Sequence, residues 1–350
     1  LTPSKSAPLA STPTKAKWRV MNHPVSPAPI APLSASTLER AAKLLEGGKL
    51  VGVPTETVYG LAADATNGAA VADIFAAKGR PTFNPLICHV ANLEMAERLV
   101  VFNELALHLA KLFWPGPLTL VLPKNGDCPV HDLASAGLEK LDVRIPTGPM
   151  QQLASMLERP IAAPSANLSG RISATSAKAV AEDLGSLVAL ILDNGAPTVG
   201  VESTIVAIES DEIFLLRPGG LAVEEIEDAA GQAVQEMEPN ADIKAPGMLT
   251  SHYAPDMPVR LNVDNVTSSE ALLSFGSFGV TGADAAVAEI NLSARGDRTE
   301  AAQNLFSSMR ALNQSGATGL AVAAIPQTGL GLAINDRLRR AAAPREVKDE

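Results

Sequence analysis

The run AAKGRPTFNPLICHV, Ala76 to Val90, decides how the chain is read, because it sets two cations, two prolines, an Asn and a His between apolar segments. Just upstream, Ala69 to Ala77 (AAVADIFAA) carries apolar residues at helical spacing, and Gly79 follows as a helix-ending glycine does. Lys78 and Arg80 therefore leave a helix end. Pro81 and Pro85 forbid further helix, and Leu86 to Val90 (LICHV) reads as a short buried strand. Two fixed cations and His89 thus converge on one loop, which suits an anionic ligand. The same two cations also suit a last helical turn on dipole grounds alone, so both readings stand at this level.

Working outward, 350 residues suffice for two domains with proper cores, and 46% hydrophobic content makes the chain globular. Aromatics at 3% are too few for the base-stacking surfaces of single-stranded RNA readers, and a net charge of -10 will not coat a polyanion nonspecifically. A small anionic ligand in a local basic pocket fits better, with direct nucleic-acid binding weak or absent. Cys88 and Cys128 form no CxxC pair, which argues against a disulfide framework or structural zinc and for a reducing, cytoplasmic setting. Cys88 reads as a small core residue. No apolar run of membrane-spanning length occurs.

Residues 1–33, with seven prolines and no acidic side chain, read as a disordered leader. A first domain over 34–220 begins with the helix LERAAKLLEGG and the strand KLVGV, which runs into PTETVYGL, Pro54 to Leu61. One helix is expected from about Glu94 to Phe113, then the turn WPGP and the strand LTLVLP. DVRIP, a helix over about 148–157, PIAAPSAN, the helix AKAVAEDL and the strands LILDNG, STIVAI and IFLLRPGG complete it. Strands outnumber helices and do not alternate with them, so the expected class is α/β with a twisted mixed sheet and flanking helices. Residues 221–257 read as an acidic helix and linker, 258–343 as a small α/β C-terminal domain of more regular alternation, and 344–350 as a tail.

No GxxxxGK[ST] or GxGxxG is present, and TGLGLA, Thr328 to Ala333, holds only a weak GxG. A nucleotide would therefore be held by side chains. Lys78, Arg80, Arg144 and Arg217 are the candidate cations, the last two embedded in apolar strand-like runs where a charge needs a partner or a ligand. Thr55, Thr57, Ser165, Asn167, Thr175, Ser203 and Thr204 sit at strand ends, where they suit neutral hydrogen bonding to a ligand or ordinary turn and cap chemistry. Neither a nucleophilic triad nor a metal-ligand cluster is visible, so no metal is assigned to protein side chains.

PTETVYGL, KGRPTFNPLICHV, WPGPLTLVL, VRIP, APSANLSG, VESTIV, LLRPGG and SHYAP, taken together and in this order, resemble the YrdC-like family of L-threonylcarbamoyladenylate synthases in its long two-domain type. The resemblance implies a YrdC-like catalytic domain with a small Rossmann-like α/β appendage. It further implies formation of threonylcarbamoyl-AMP and pyrophosphate from L-threonine, bicarbonate or CO2, and ATP with Mg2+ on its phosphates, for transfer to tRNA by downstream proteins. On matching positions, Lys78, Arg80, Asn84, Asn167, Thr175, Arg217 and Tyr253 hold ATP, and Lys78 and Arg80 stabilise the charge of the reaction. Thr57, His89, Arg144, Ser165 and Ser203 hold threonine. Two rivals are weaker: a carbamoyl-adenylate-forming carbamoyltransferase brings cysteine-rich zinc fingers that two cysteines cannot supply, and a double-stranded RNA-binding protein needs a broadly basic face.

Overall fold

Fully buried segments carry the architecture. In the computed structural model, which describes residues 28–236, 251–277 and 279–344, the first layer holds β1 (Ile30–Pro32), α1 (Ala35–Glu46), β2 (Val51–Pro54), β3 (Tyr59–Asp64), α2 (Gly68–Lys78) and β4 (Cys88–His89). It continues with α3 (Leu93–Leu99), α4 (Glu104–Phe113), β5 (Leu118–Pro123), β6 (Lys140–Arg144), α5 (Pro149–Leu157), β7 (Ile161–Ala162) and α6 (Ala177–Leu184). β8 (Leu190–Asp193), β9 (Thr204–Glu209), β10 (Glu212–Arg217), α7 (Val223–Ala230) and β11 (Val234–Glu236) close it. Among the described residues these strands form one sheet in the order β1-β8-β2-β3-β7-β4-β6-β5-β9-β10-β11, with parallel and antiparallel pairs mixed. The mixed sheet expected from the uneven alternation of strands and helices is what forms.

The second layer is β12 (Val259–Leu261), β13 (Glu270–Ser274), β14 (Ala288–Asn291), α8 (Arg298–Asn313), β15 (Gly319–Val322) and α9 (Leu330–Ala342). Its sheet, in the order β12-β15-β13-β14, is parallel throughout, as an open α/β domain requires. Each layer has its own core. The second one, built on Leu305, Phe306, Met309 and Ile334, also takes in Val58, Ile172 and Val201 from the first layer and Tyr253 from the linker. The two domains are therefore joined by shared apolar packing as well as by chain.

Several boundaries differ from the sequence expectations, for identifiable reasons. The single helix over Glu94 to Phe113 is two helices, because Val100 is extended and bridges Lys124 while the Asn103 side chain caps α4 by accepting from Ala106 N at 2.8 Å. β3 has no alternation to betray it, since all its residues are buried, and it follows β2 as a hairpin. Ile30–Pro32, inside the stretch read as a leader, is an edge strand on β8, where proline is tolerated. Residues 1–27 of that leader, 237–250 of the linker and 345–350 of the tail lie outside the described residues. The first layer extends past Gly220, because Ile226 and Val234 join its core and β11 pairs with β10. The basic end INDRLRRAAA is helix α9, whose buried face includes Ile334, Arg337 and Leu338.

Candidate active site

Strand ends and the loops that follow them supply the site. Between β2 and β3, Thr55 Oγ1 lies 2.8 Å from Thr57 Oγ1 and donates to the Val58 carbonyl at 2.7 Å, so side chains close this loop. β6 delivers Arg144, whose Nε donates to the Gly116 carbonyl at 2.9 Å and whose Nη1 donates to Thr57 Oγ1 at 3.1 Å. Its Nη2 lies 2.6 Å from Glu56 Oε1, an ion pair whose angle is not that of a hydrogen bond. His89, in register with Arg144 across the β4–β6 pair, is buried with Nδ1 unpartnered.

The opposite wall begins at the end of α2. Gly79 takes the left-handed conformation at φ 60 and turns the chain out of the helix, as its position predicts. Lys78 does not turn back on its own helix. Its ammonium donates to the carbonyl of Ser165 at 2.5 Å and to that of Asn167. Arg80 curls over its own loop, with Nε donating to the Asn84 carbonyl at 3.2 Å and Nη2 to that of Pro85 at 2.8 Å. Arg217, at the end of β10, donates to the Ser203 carbonyl from Nε at 3.1 Å and from Nη2 at 2.9 Å, and Nη2 reaches Ser203 Oγ at 3.2 Å. Ser203 Oγ in turn is 2.8 Å from Thr119 Oγ1.

Thr57, Arg80, His89, Arg144, Ser165, Ser203, Arg217 and Tyr253 all line one cavity. Lys78, Asn84, Asn167 and Thr175 are buried but do not line it. Lys78 and Asn167 meet behind it through the carbonyl contact, and Asn84 lies against Arg80 with both amide atoms unpartnered. Asn167 Oδ1 is likewise buried and unpartnered. Thr175 lies on the run into α6, away from this lining.

Residues 43–219 match the Sua5/YciO/YrdC family profile, described as telomere recombination, and residues 221–343 match the threonylcarbamoyl-AMP synthase C-terminal domain. The chain belongs to the threonylcarbamoyl-AMP synthase family. A synthase of this name from Pyrococcus abyssi is 42% identical over 88% of this chain and 94% of its own length, and one from Bacillus subtilis is 38% identical over 89% and 94%. The crystal structure of P. abyssi Sua5 complexed with L-threonine superposes with a TM-score of 0.81 at 37% identity, covering 91% of this chain and 97% of that one.

Within this member of the synthase family, Thr55 lines the cavity as its strand-end place suggests, and side chains beyond those expected join it: Glu202 and His252 line it, Glu56 pairs with Arg144, and Asp142 stands buried on β6 with Oδ2 unpartnered. Glu56 and Glu202 carried a signal, since each is an acid inside an otherwise neutral strand-end motif and a buried acid needs a cation. Asp142 carried none beyond its place in LDVR.

Burial sets the electrostatics. It pushes Lys78 down to about 7, with the neighbouring Arg80 charge acting in the same direction, and pushes Arg80 down to about 10. His89 falls to about 3 through burial and then Arg144, and His252 falls well below its usual range through burial and the surrounding cations, so both are neutral near pH 7. Burial lifts Asp142 to about 8 against the pull of Arg217 and Arg80. Lys78 and Arg80 thus have backbone carbonyls as hydrogen-bond partners, while carboxylates act on them only through space, Asp183 and Glu202 on Lys78 and Asp142 on Arg80. Such a site is stabilised by a bound polyanion.

Proposed function

We infer that the chain is a threonylcarbamoyl-AMP synthase that joins L-threonine, bicarbonate or CO2, and ATP. The observation that carries this is the division of one cavity into a neutral, hydroxyl-rich end with a single arginine and a cationic end built on Arg80 and Arg217 with Lys78 behind. At the first end the Arg144 guanidinium suits the threonine carboxylate, and Thr57, Ser165, Ser203 and neutral His89 suit its hydroxyl and amine. At the second, Lys78, Arg80 and Arg217 suit the phosphates, while Asn84, Asn167 and Thr175, which the sequence also offered for the nucleotide, are buried outside the lining.

The chemistry follows from that division. The amine of threonine takes up CO2 as a carbamate, whose oxygen attacks the α-phosphorus of ATP in line and expels pyrophosphate. The protein holds the two reactants end to end and stabilises the charge that spreads over the phosphoryl oxygens. No covalent nucleophile is needed. No group of three His, Cys, Asp or Glu side chains that could hold a metal occurs among the described residues. These residues fit phosphate oxygens rather than a cation, and ATP is the substrate as its magnesium complex.

His252 and Tyr253 form the wall toward the linker, and Ala254 N donates to the Gly170 carbonyl at 2.9 Å, which pins the linker to the first domain. Tyr253 takes φ 60, an uncommon conformation for a tyrosine, and is held there by a ring stack on Phe306 at 5.6 Å. The linker acts as a lid that keeps water from the labile carbamoyl adenylate. The product passes to downstream threonylcarbamoyl-transfer proteins acting on tRNA in the cytoplasm. The structure offers no membrane-crossing helix among its described residues.

The direct test is pyrophosphate release in the presence of all three substrates. Release is expected only when threonine, bicarbonate and ATP are supplied together; release indifferent to threonine refutes the assignment. A pH dependence follows from the buried cation. Because Lys78 releases its proton near pH 7, a polyanion binding above that pH must restore it, and Asp142 becoming anionic near pH 8 acts in the same direction. ATP affinity is therefore expected to fall with rising pH between about 7 and 9, by up to about tenfold per unit. Calorimetric titration across that range checks it, and a flat affinity would show that Lys78 keeps its proton.

A further inference from the structure

One side chain of the C-terminal domain touches residues of the cavity wall without lining the cavity itself. Arg337 of α9 is fully buried, its Nε donates to Glu202 Oε2 at 3.0 Å, and its Nη1 donates to the Pro218 carbonyl and to Asp336 Oδ2 at 3.1 Å. Its guanidinium carbon lies 5.5 Å from the Tyr253 ring centroid, a cation–π distance. Glu202 Oε1 is taken up by Ser173 Oγ at 2.5 Å, so the carboxylate has a partner on each oxygen.

Each of these contacts is at or beside a residue of the site. Glu202 lines the cavity and precedes Ser203, Pro218 follows Arg217, and Tyr253 is the linker wall. The two loops also touch directly: a Cβ on Gly219 would stand 2.3 Å from Ser203 C and Thr204 N, so neither loop shifts without the other. Buried charges in such an arrangement are costly unless fully paired, and breaking one partner disturbs the rest. Arg337 lies outside the cavity lining and acts through its neighbours.

We infer that Arg337 is a positioning residue through which the C-terminal domain sets the phosphate-binding wall. It holds the Glu202–Ser203 loop, the Arg217–Pro218 loop and Tyr253 in one geometry, so the nucleotide end of the site is complete only while the two domains are docked. The inference rests on the placement of the ATP phosphates at Arg217 proposed above. Of the threonine end, Arg337 bears only on Ser203, through Glu202; none of its hydrogen bonds reaches Thr57, His89 or Arg144.

The test is steady-state pyrophosphate release by the full chain. Arg337→Met is expected to raise KM for ATP by about tenfold, a common size for coupling between sites, and to move KM for threonine much less. Arg337→Lys should recover part of the loss. The double variant with Glu202→Gln should be little worse than the worse single one, because the two residues act as one unit. An unchanged ATP KM with only a lowered melting temperature, or strictly additive losses, overturns the inference.

Hydrogen exchange on the unaltered protein decides the matter even if Arg337→Met fails to fold. Adding ATP should slow exchange in peptides covering residues 330–342, and no change there overturns the inference. Unaltered protein that releases no pyrophosphate with all substrates present overturns the functional assignment instead, so the two failures are distinct.

Discussion

Lys78→Ala is expected to remove nearly all threonine-dependent pyrophosphate release, a fall of about 10³-fold in kcat/KM, the upper range for losing one fixed charge aimed at a reacting group. The physical reason is the contrast between where this ammonium stands and what it touches. It is buried, its proton is loosely held near pH 7, and its partners are the carbonyls of Ser165 and Asn167, neutral groups on the APSAN turn. A triphosphate brought beside it would supply a negative charge that neither carbonyl carries. Structure should survive the change. The lysine contributes no apolar core, and its loss leaves two carbonyls to be solvated, a cost of about 1 kcal/mol. Melting curves and activity measured on the same preparation separate the two effects. Full activity with a lowered melting temperature would return Lys78 to the role of a helix-end charge.

Cutting the chain before Ser251 should lower turnover by about 10²-fold and let the adenylate that does form hydrolyse in solution, as expected when the reactants are no longer held in register. The cut removes His252 and Tyr253 from the cavity wall together with Arg337. It leaves the first core, which runs from Ala28 through Val234 without any contribution from the C-terminal domain, so the remaining domain keeps the means to fold. It also uncovers Val58, Ile172 and Val201, which pack against Tyr253 and the second core, and new dye-binding apolar surface should accompany the loss. Pyrophosphate release and adenylate lifetime, followed together, check this. Unchanged values for both would dismiss the lid.

Local sequence was enough for the plan around Ala76–Val90. Apolar periodicity, Gly79 and the two prolines dictate helix, turn and strand, because these signals act over a few residues. The same reasoning put strand-end hydroxyls and embedded arginines forward as ligands, and the register of motifs carried the family. Tertiary structure alone decided what those groups meet. Lys78 looks, in sequence, like a dipole complement, yet its partners lie 87 and 89 residues away across the sheet order β3-β7-β4. Asp142 sits in an unremarkable strand and becomes a buried carboxyl behind two arginines only when β6 is set between β4 and β5. Arg337 is, in sequence, one of several arginines in the run INDRLRR and is buried at the junction of two domains, 135 residues from Glu202. Propensity and pattern report on neighbours in the chain, whereas the pairing of buried charges depends on which distant strands the packing brings together.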